Sequence, residues 1–237
     1  MRIATWNVNS VNARLETVAR WFEEAKPDVA CLQEIKCVDE KFPAEAFERL
    51  GYNLAAHGQK TYNGVAILAR DLPVDVSVGI PGFADEQKRV IAATIGKVRV
   101  ISAYFPNGQA VGSEKFAYKP AWLEALTRWL ADELRRYPAL ALLGDYNIAP
   151  DERDAHPDWQ EEIHVSAPER DAFRALTALG LTDAFRLFEQ PEKSFSWWDY
   201  RMMAFRRNFG LRIDHILLSA KSRADWMAES AKARIAS

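Results

Sequence analysis

The sequence predicts an α/β layered fold with mixed β-sheets. Nine short runs rich in Val, Ile, Leu or Ala have the length and composition of strands, and turn-forming residues separate them. In the middle of the chain the runs follow one another as closely as hairpin strands, whereas helical segments separate the runs on either side. The predicted strands are Arg2–Val8, Val29–Gln33, Tyr52–Ala56, Gly64–Ala69, Val74–Val78, Val90–Ile95, Val98–Tyr104, Ala139–Leu143 and Arg212–Leu218.

Three segments repeat apolar residues with the spacing of an amphipathic helix. The third of them ends at Gly180, where a helix C-cap is expected. We interpret the tryptophans of the second segment as core packing. The three apolar stripes are Leu15, Val18, Ala19, Phe22 and Ala25; Trp122, Ala125, Leu126, Trp129, Leu130 and Leu134; and Ala172, Phe173, Leu176 and Leu179.

Length and composition predict one domain over residues 1–237. With 49% hydrophobic residues the chain can bury a large core. No segment resembles a signal peptide, and every apolar run is shorter than the roughly 18–20 residues of a membrane-spanning helix, so we expect a cytoplasmic protein. Cys31 and Cys37 have neither disulfide nor metal-ligand spacing and are expected to be reduced thiols.

The overall charge does not indicate a polyanionic partner, because the formal net charge is only −2 at pH 7. Binding to a nucleic acid would therefore need a local basic patch. Residues 193–237 supply a candidate, with nine basic and four acidic side chains. A solvated basic face is the alternative interpretation of this segment.

Polar side chains stand at the ends of four predicted strands. Gly144 and the polar residues after it are expected to end the strand that begins at Ala139. Ligands of such sheets bind beyond the carboxyl ends of strands, so we expect these side chains to converge on one crevice. Each of them alone would also serve as a turn former or a helix cap. The candidates are Asn7, Glu34, Tyr104, Asn107, Asp145 and Asn147.

These residue types predict metal-assisted hydrolysis of a phosphate ester. Hard oxygen ligands suit Mg²⁺ or Mn²⁺, with Glu34 as the carboxylate ligand. Asp145 and Asn147 are two residues apart, so on an extended segment they would share a face and act together on a water molecule. Tyr104 and Asn107 would donate hydrogen bonds to the phosphate.

Seven motifs resemble those of a known family. In chain order WNVNS, LQEIK, HGQK, AYFPNG, GDYNIAP, FSWWDYR and GLRIDHILLS resemble the exonuclease III class of abasic-site endonucleases, within the metal-dependent endonuclease/exonuclease/phosphatase superfamily. LQE and GDYN mark only the superfamily, whose members also cut phosphoinositides and sphingomyelin, whereas HGQK, FSWWDYR and GLRID indicate the DNA-repair class. The resemblance implies a four-layered α/β sandwich with two packed mixed sheets flanked by helices. It also implies a monomeric, Mg²⁺-dependent enzyme that hydrolyses double-stranded DNA 5′ to abasic sites and removes nucleotides from 3′ ends.

The resemblance also assigns roles to individual residues. The implied metal ligands are Asn7 and Glu34, the phosphate contacts are Tyr104 and Asn107, and the water-activating pair is Asp145 and Asn147. Trp197, Leu211 and Ile213 are implied to form an apolar pocket for a sugar that has lost its base. Such a nucleotide is easily extruded because it has no stacking to lose. For Trp197 the alternative is ordinary core packing.

Asp214 lies in the apolar segment LRIDHILL, where an unpaired carboxylate is costly. In the family this aspartate orients a catalytic histidine from a Ser-Asp-His motif on the last strand, and the sequence after Asp214 contains no such motif. His215 would project from the opposite face of its strand, and His57, His156 and His164 lie in loop-like contexts without an acidic partner. We therefore expect the chain to lack the final strand, by truncation or omission, and to be catalytically impaired.

Two other functions are considered. A catalytically impaired relative would bind abasic or nicked DNA without hydrolysis, but Glu34, Asp145 and Asn147 would then have no purpose. A superfamily phosphatase acting on small phosphoesters would leave FSWWDYR unexplained. The motifs therefore favour the DNA-cleaving enzyme.

We predict that the 237-residue chain has negligible incision activity and that a closing strand with the Ser-Asp-His motif restores it. Loss of one preorganised donor to a developing charge costs on the order of 10²–10³ in rate. A nicking assay on duplex DNA with one abasic analogue compares this chain with the extended chain, defined as the same residues followed by that strand. Rapid, Glu34-dependent nicking by the 237-residue chain would contradict the prediction.

Overall fold

Two β-sheets and a small ribbon organise the chain in a computed structural model that describes residues 1–109, 114–160 and 163–229. The strands are β1 (Ile3–Asn7), β2 (Val29–Gln33), β3 (Asn53–His57), β4 (Val65–Ala69), β5 (Val74–Val78), β6 (Val90–Ile95), β7 (Val98–Tyr104), β8 (Leu140–Asp145), β9 (Thr182–Asp183), β10 (Trp197–Trp198), β11 (Gly210–Leu211) and β12 (Asp214–Leu218). The first sheet has the order β1-β2-β4-β3 and the second the order β5-β6-β7-β8-β12-β9, while β10 pairs with β11.

Both sheets are mixed. In the first, β1 runs parallel to β2, and in the second, β7 runs parallel to β8, whereas the remaining described pairs are antiparallel. Parallel neighbours bring their carboxyl ends to the same edge of a sheet. Tyr104 and Asp145 consequently lie side by side at the ends of β7 and β8. Asp214, at the start of the antiparallel strand β12, is the neighbour of Asp145 on the other side.

Helices cover the outer face of each sheet. α1 (Leu15–Ala25) and α2 (Ala44–Glu48) pack on the first sheet, and α3 (Glu114–Arg136) and α4 (Ala167–Ala178) pack on the second, with α5 (Ala220–Glu229) after β12. The predicted four-layered sandwich is therefore confirmed. Among the described helices, none is long and apolar enough to cross a membrane.

The apolar strands form the core between the sheets. Cys31 and Ile67 of the first sheet pack in one cluster with Val100 and Leu143 of the second, and all four side chains are fully buried. Each fully buried aliphatic side chain of this kind contributes about 1.5–3 kcal/mol to folding. Cys31 and Cys37 are both buried and form no disulfide.

Two strand predictions were wrong by two residues at one end. The segment from Arg212 to Leu218 joins the sheet only at Asp214, and β8 continues through Gly144 to Asp145 instead of stopping at Leu143. A Cβ atom at position 144 would lie 1.8 Å from the carbonyl oxygen of Ala103 on β7. Gly144 is therefore required by the close approach of the two parallel strands and not by a turn.

Gly144→Ala is expected to lower the free energy of unfolding by about 1–3 kcal/mol, because the added methyl group forces β7 and β8 apart. Urea unfolding measures the change. Val76→Ala on the exposed edge strand β5 is the control and should change stability by less than about 0.5 kcal/mol. A Gly144→Ala variant as stable as the parent would show that the strands have room for the methyl group.

Candidate active site

The predicted polar residues meet where the two sheets present their strand ends. Asn7 ends β1, Glu34 follows β2, and Asp145 ends β8. The Asn7 side-chain amide donates one hydrogen bond to Glu34 Oε1 at 2.7 Å and another to Asp145 Oδ2 at 2.9 Å. One carboxamide thus joins carboxylates from both sheets. The Asn7 Oδ1 atom accepts the backbone N–H of Asn9 at 3.0 Å.

Glu34 is held as an ionised carboxylate. It has left-handed backbone geometry, with φ at 51°, and Lys36 Nζ lies 2.8 Å from its Oε2 atom. Burial acts to raise the pKa of Glu34, but the hydrogen bonds from Asn7 and Lys36 outweigh it and hold the pKa below its ordinary value. Lys36 was not predicted as part of the site, although its charge stands only two residues after Glu34.

Asp145 lies deeper than Glu34, with 5% of its surface exposed. Burial, and then the negative charge of Glu34, raise the pKa of Asp145 to about 6, against the hydrogen bonds from Asn7 and from the Asn147 backbone. Asp214 stands opposite Asp145 on β12, and burial followed by the charge of Asp145 raises the pKa of Asp214 well above its ordinary value. The carboxylates of this centre are stabilised by binding either a proton or a cation, because their negative charges are buried close together.

Tyr104 supplies a protonated hydroxyl beside this centre. Burial, together with the charges of Glu34 and Asp145, raises the pKa of Tyr104, and its hydroxyl hydrogen-bonds to Glu34. The Arg89 guanidinium stacks on the ring at 4.8 Å and donates to the Tyr104 carbonyl at 3.1 Å. The ring is therefore fixed, and the neutral hydroxyl can donate one hydrogen bond.

Asn147 is placed beside Asp145 by a backbone conformation that was not predicted from the sequence. Its φ of 50° is left-handed, so the expected extended geometry for Asp145 and Asn147 was wrong. Instead, the Asn147 backbone N–H donates to Asp145 Oδ1 at 2.9 Å, and its side chain donates to the Phe105 carbonyl at 3.1 Å. The exposed Asn107 donates to Asn147 Oδ1 at 3.1 Å. Asn147 is thus held from both its backbone and its side chain.

Beneath Asn147 lie three buried residues that the sequence analysis missed or set aside. The Asn147 carbonyl oxygen lies 2.8 Å from both Lys119 Nζ and His164 Nδ1, and Lys119 pairs with Glu169. Burial and then the charge of Lys119 lower the pKa of His164 to about 4, so its ring is neutral and Nδ1 donates to the carbonyl. Lys119 stands three residues before Trp122, on the apolar stripe of its helix, and a charge at such a position is a detectable signal.

His215 has a structural environment. It accepts a hydrogen bond from Arg212 at 3.0 Å and donates from Nε2 to the Ile148 carbonyl at 2.8 Å. Arg212 in turn pairs with Asp154 and Asp183, each at 2.7 Å. Burial and then the Arg212 charge lower the pKa of His215 to about 3. The neutral ring thus ties β12 to the loop after β8, in a place where it cannot serve as an acid.

Trp197, Leu211 and Ile213 lie together in one apolar cluster. Leu211 has no exposed surface and Ile213 only 2%, whereas Trp197 is partly exposed. The ring of Trp197 packs edge-on against Trp159 at 6.1 Å and lies 6.4 Å from His164. The three residues are brought together, but neighbouring side chains already cover two of them.

The two-sheet sandwich and its carboxylate and amide centre define a phosphoester hydrolase of the endonuclease, exonuclease and phosphatase type. The chain belongs to the Endonuclease/Exonuclease/phosphatase family, whose model matches residues 4–230. Within it the chain is a member of the exonuclease III class of DNA-repair nucleases, which are phosphodiester hydrolases.

Individual relatives support this placement. The exodeoxyribonuclease III of Haemophilus influenzae is 38% identical over 236 residues, covering 93% of this chain and 88% of the relative. A Neisseria 3′ phosphatase, NExo, solved with a product DNA hairpin, is 48% identical with a TM-score of 0.92, covering 94% of this chain and 88% of that one. An AP endonuclease from Archaeoglobus fulgidus is 36% identical with a TM-score of 0.89, covering 93% and 87%.

Members of the exonuclease III family generally depend on a divalent metal. The donors here fit such an ion, because they are carboxylate and carboxamide oxygens without sulfur or imidazole. The described residues contain no group of three or more His, Cys, Asp or Glu side chains arranged to hold a metal. A site with few protein ligands suits Mg²⁺, which keeps several of its waters.

Asp145→Asn is expected to change how stability depends on pH in metal-free buffer. The folded chain holds the Asp145 proton more tightly than the unfolded chain, because the pKa rises from 3.8 to about 6. Between pH 4 and pH 7 the parent therefore loses stability relative to the variant, by about 1–3 kcal/mol. Urea unfolding at several pH values in EDTA measures the difference, and parallel pH profiles would contradict it.

Proposed function

We propose that this chain uses one divalent metal ion to hydrolyse phosphate esters of double-stranded DNA, at 3′ ends and at abasic sites. The observation that carries the proposal is the Asn7 bridge, which places Glu34 and Asp145 in one centre beside the amides of Asn107 and Asn147. The names of the relatives support DNA as the substrate.

Glu34 and Asn7 are the residues that would hold Mg²⁺ or Mn²⁺. When bound, such an ion polarises a phosphoryl oxygen and stabilises the charge on the leaving oxygen. The ionised Glu34 carboxylate fits this role. Asn7 would have to release the Asn9 backbone N–H before its own oxygen could bind a cation.

Asp145 is the proposed general base. A pKa of about 6 leaves the carboxylate ionised at neutral pH while it still takes up a proton readily. The water oxygen attacks phosphorus, its proton passes to Asp145, and the P–O bond to the leaving oxygen breaks. Asn147, fixed at its backbone and side chain, orients that water. Asp214 is paired with Asp145 on the neighbouring strand, and burial and then the charge of Asp145 raise the pKa of Asp214, which favours its protonated form.

Tyr104 and Asn107 are the proposed contacts to the phosphate. The raised pKa of Tyr104 keeps its hydroxyl protonated, so its single O–H would turn from Glu34 to an anionic phosphate oxygen without adding charge. Asn107 is exposed and stands at the rim of the centre, where a backbone phosphate would arrive.

A loop of residues 200–207 is the proposed DNA-contacting surface. It exposes Tyr200, Met202, Met203 and Phe205 by 65–86% and carries exposed arginines at 206 and 207. Large apolar side chains together with arginines suit stacking on bases and attraction to phosphates. This loop belongs to the basic segment predicted from the sequence, of which Lys232 and Arg234 lie outside the described residues.

Processing of 3′ ends is favoured over incision at abasic sites. An extruded sugar needs an open apolar pocket, and Leu211 and Ile213 are covered by their neighbours. The Neisseria relative is named as a 3′ phosphatase, which supports the same preference. Incision at abasic sites stays the second candidate because Trp197 is partly exposed and because an AP endonuclease is among the similar structures.

Glu34→Gln is expected to reduce metal-stimulated cleavage by at least about 10²-fold on every substrate, since the carboxylate ligand is lost. The substrates are duplexes with a 3′ phosphate, with a recessed 3′ hydroxyl end and with one abasic analogue. Product release with and without Mg²⁺ is measured on the 237-residue chain, and on the extended chain if that is faster. Glu48→Gln, an exposed glutamate on α2, is the control.

The parent should act faster on the two 3′-end substrates than on the abasic duplex. A Glu34→Gln variant with parental rates would refute the metal role. A parent that cleaves the abasic duplex faster than either 3′-end substrate would make incision at abasic sites the first candidate function.

A further inference from the structure

A completely buried lysine lies beneath the proposed centre. Lys119 on α3 has no exposed surface, and Nζ faces three oxygen acceptors. These are Glu169 Oε1 at 2.5 Å, the Asn147 carbonyl at 2.8 Å and the Asn107 carbonyl at 3.4 Å. An ammonium group has three N–H donors, so the three acceptors match its full capacity.

The charge of Lys119 is balanced by Glu169, which is also buried. The second oxygen of Glu169 accepts from the Ser166 backbone and hydroxyl at 3.1 and 2.6 Å, where α4 begins. Burying two charges costs desolvation energy that an apolar pair of similar size would avoid. The pair therefore needs a reason other than packing α3 against α4.

The carbonyl contacts supply that reason. Asn107 and Asn147 stand on loops that follow different strands, β7 and β8, and Lys119 is hydrogen-bonded to the backbone of both. At Asn147 the bond fixes the carbonyl of a residue in the left-handed region. The same two residues hydrogen-bond through their side chains at 3.1 Å.

We propose that Lys119 is a positioning residue that sets the placement of Asn107 and Asn147 over the reacting phosphate. It acts only through their backbones, because its own side chain is shielded from solvent and substrate. The inference rests on the proposed function, in which Asn147 orients the attacking water and Asn107 contacts the phosphate. Misplacement by about 1 Å costs on the order of 10²-fold in rate.

The test is a double-mutant cycle between Lys119 and Asn147. The paired variant Lys119→Met with Glu169→Gln removes both buried charges, so that neither is left unpaired. It should bind duplex DNA within about threefold of the parent and cleave on the order of 10²-fold more slowly under single-turnover conditions. In an Asn147→Ala background the same pair of changes should cause a much smaller loss, because only the effect through Asn107 is left.

A second buried ion pair on the same helix provides the matched control. Arg99 on β7 and Glu133 on α3 pair at 2.7 Å, and each is 3% exposed. Arg99→Met with Glu133→Gln should lower the free energy of unfolding without changing the cleavage rate. If the Lys119 pair does not fold, Lys119→Gln alone takes its place, with the same Asn147-dependent loss expected.

Rates are measured on the 237-residue chain, and on the extended chain if that is faster. Asn147→Ala with parental activity, or no cleavage by either chain, would refute the proposed function and this inference with it. A slow Asn147→Ala variant would preserve the proposed function. In that case two results would overturn the positioning role alone. One is a Lys119→Met, Glu169→Gln variant that cleaves at the parental rate, and the other is an equal fold-loss from these two changes in the parent and in Asn147→Ala.

Discussion

The carboxamide of Asn7 joins the two sheets at the centre on which the site depends. Its two N–H groups reach Glu34 from one sheet and Asp145 from the other, so it stabilises two carboxylates that repel each other. Burial itself, and then the charge of Glu34, raise the pKa of Asp145 in spite of these hydrogen bonds. A bound divalent cation would oppose the same repulsion more strongly. Without a cation the repulsion between the two carboxylates is only partly compensated, and this favours metal binding.

The layers behind the second sheet determine how rigid the centre is. The backbone N–H and the side-chain oxygen of Asn147 are hydrogen-bonded to Asp145 and Asn107. Its carbonyl oxygen is hydrogen-bonded to Lys119 and His164. These contacts come from β8, from the loop after β7, from α3 and from the segment before α4. The packing of α3 against α4 thus positions Asn147 in the proposed site. This accounts for the buried pair of Lys119 and Glu169 between the two helices.

A separate network fixes β12 and the apolar cluster. Arg212 links Asp154 and Asp183, and His215 extends this network to the carbonyl of Ile148. Leu211 and Ile213, on either side of Arg212, are held in a covered position by the same contacts. Substrate choice would follow from this rigidity, since a covered cluster admits an extruded sugar less easily than an open one.

The sequence by itself determined the fold class, nine of the twelve described strands and most residues of the candidate site. Apolar runs between turn formers are local signals, and Asn7, Glu34, Tyr104 and Asp145 end such runs, so their convergence follows from parallel pairing. Only the tertiary structure decided the role of Gly144, because the atom it avoids belongs to β7. The same holds for the left-handed turn at Asn147 and for the pair of Lys119 and Glu169. A charge on an apolar helix face indicates a buried partner but does not identify it. Here the partner lies 50 residues away and is brought close only when α3 and α4 pack together.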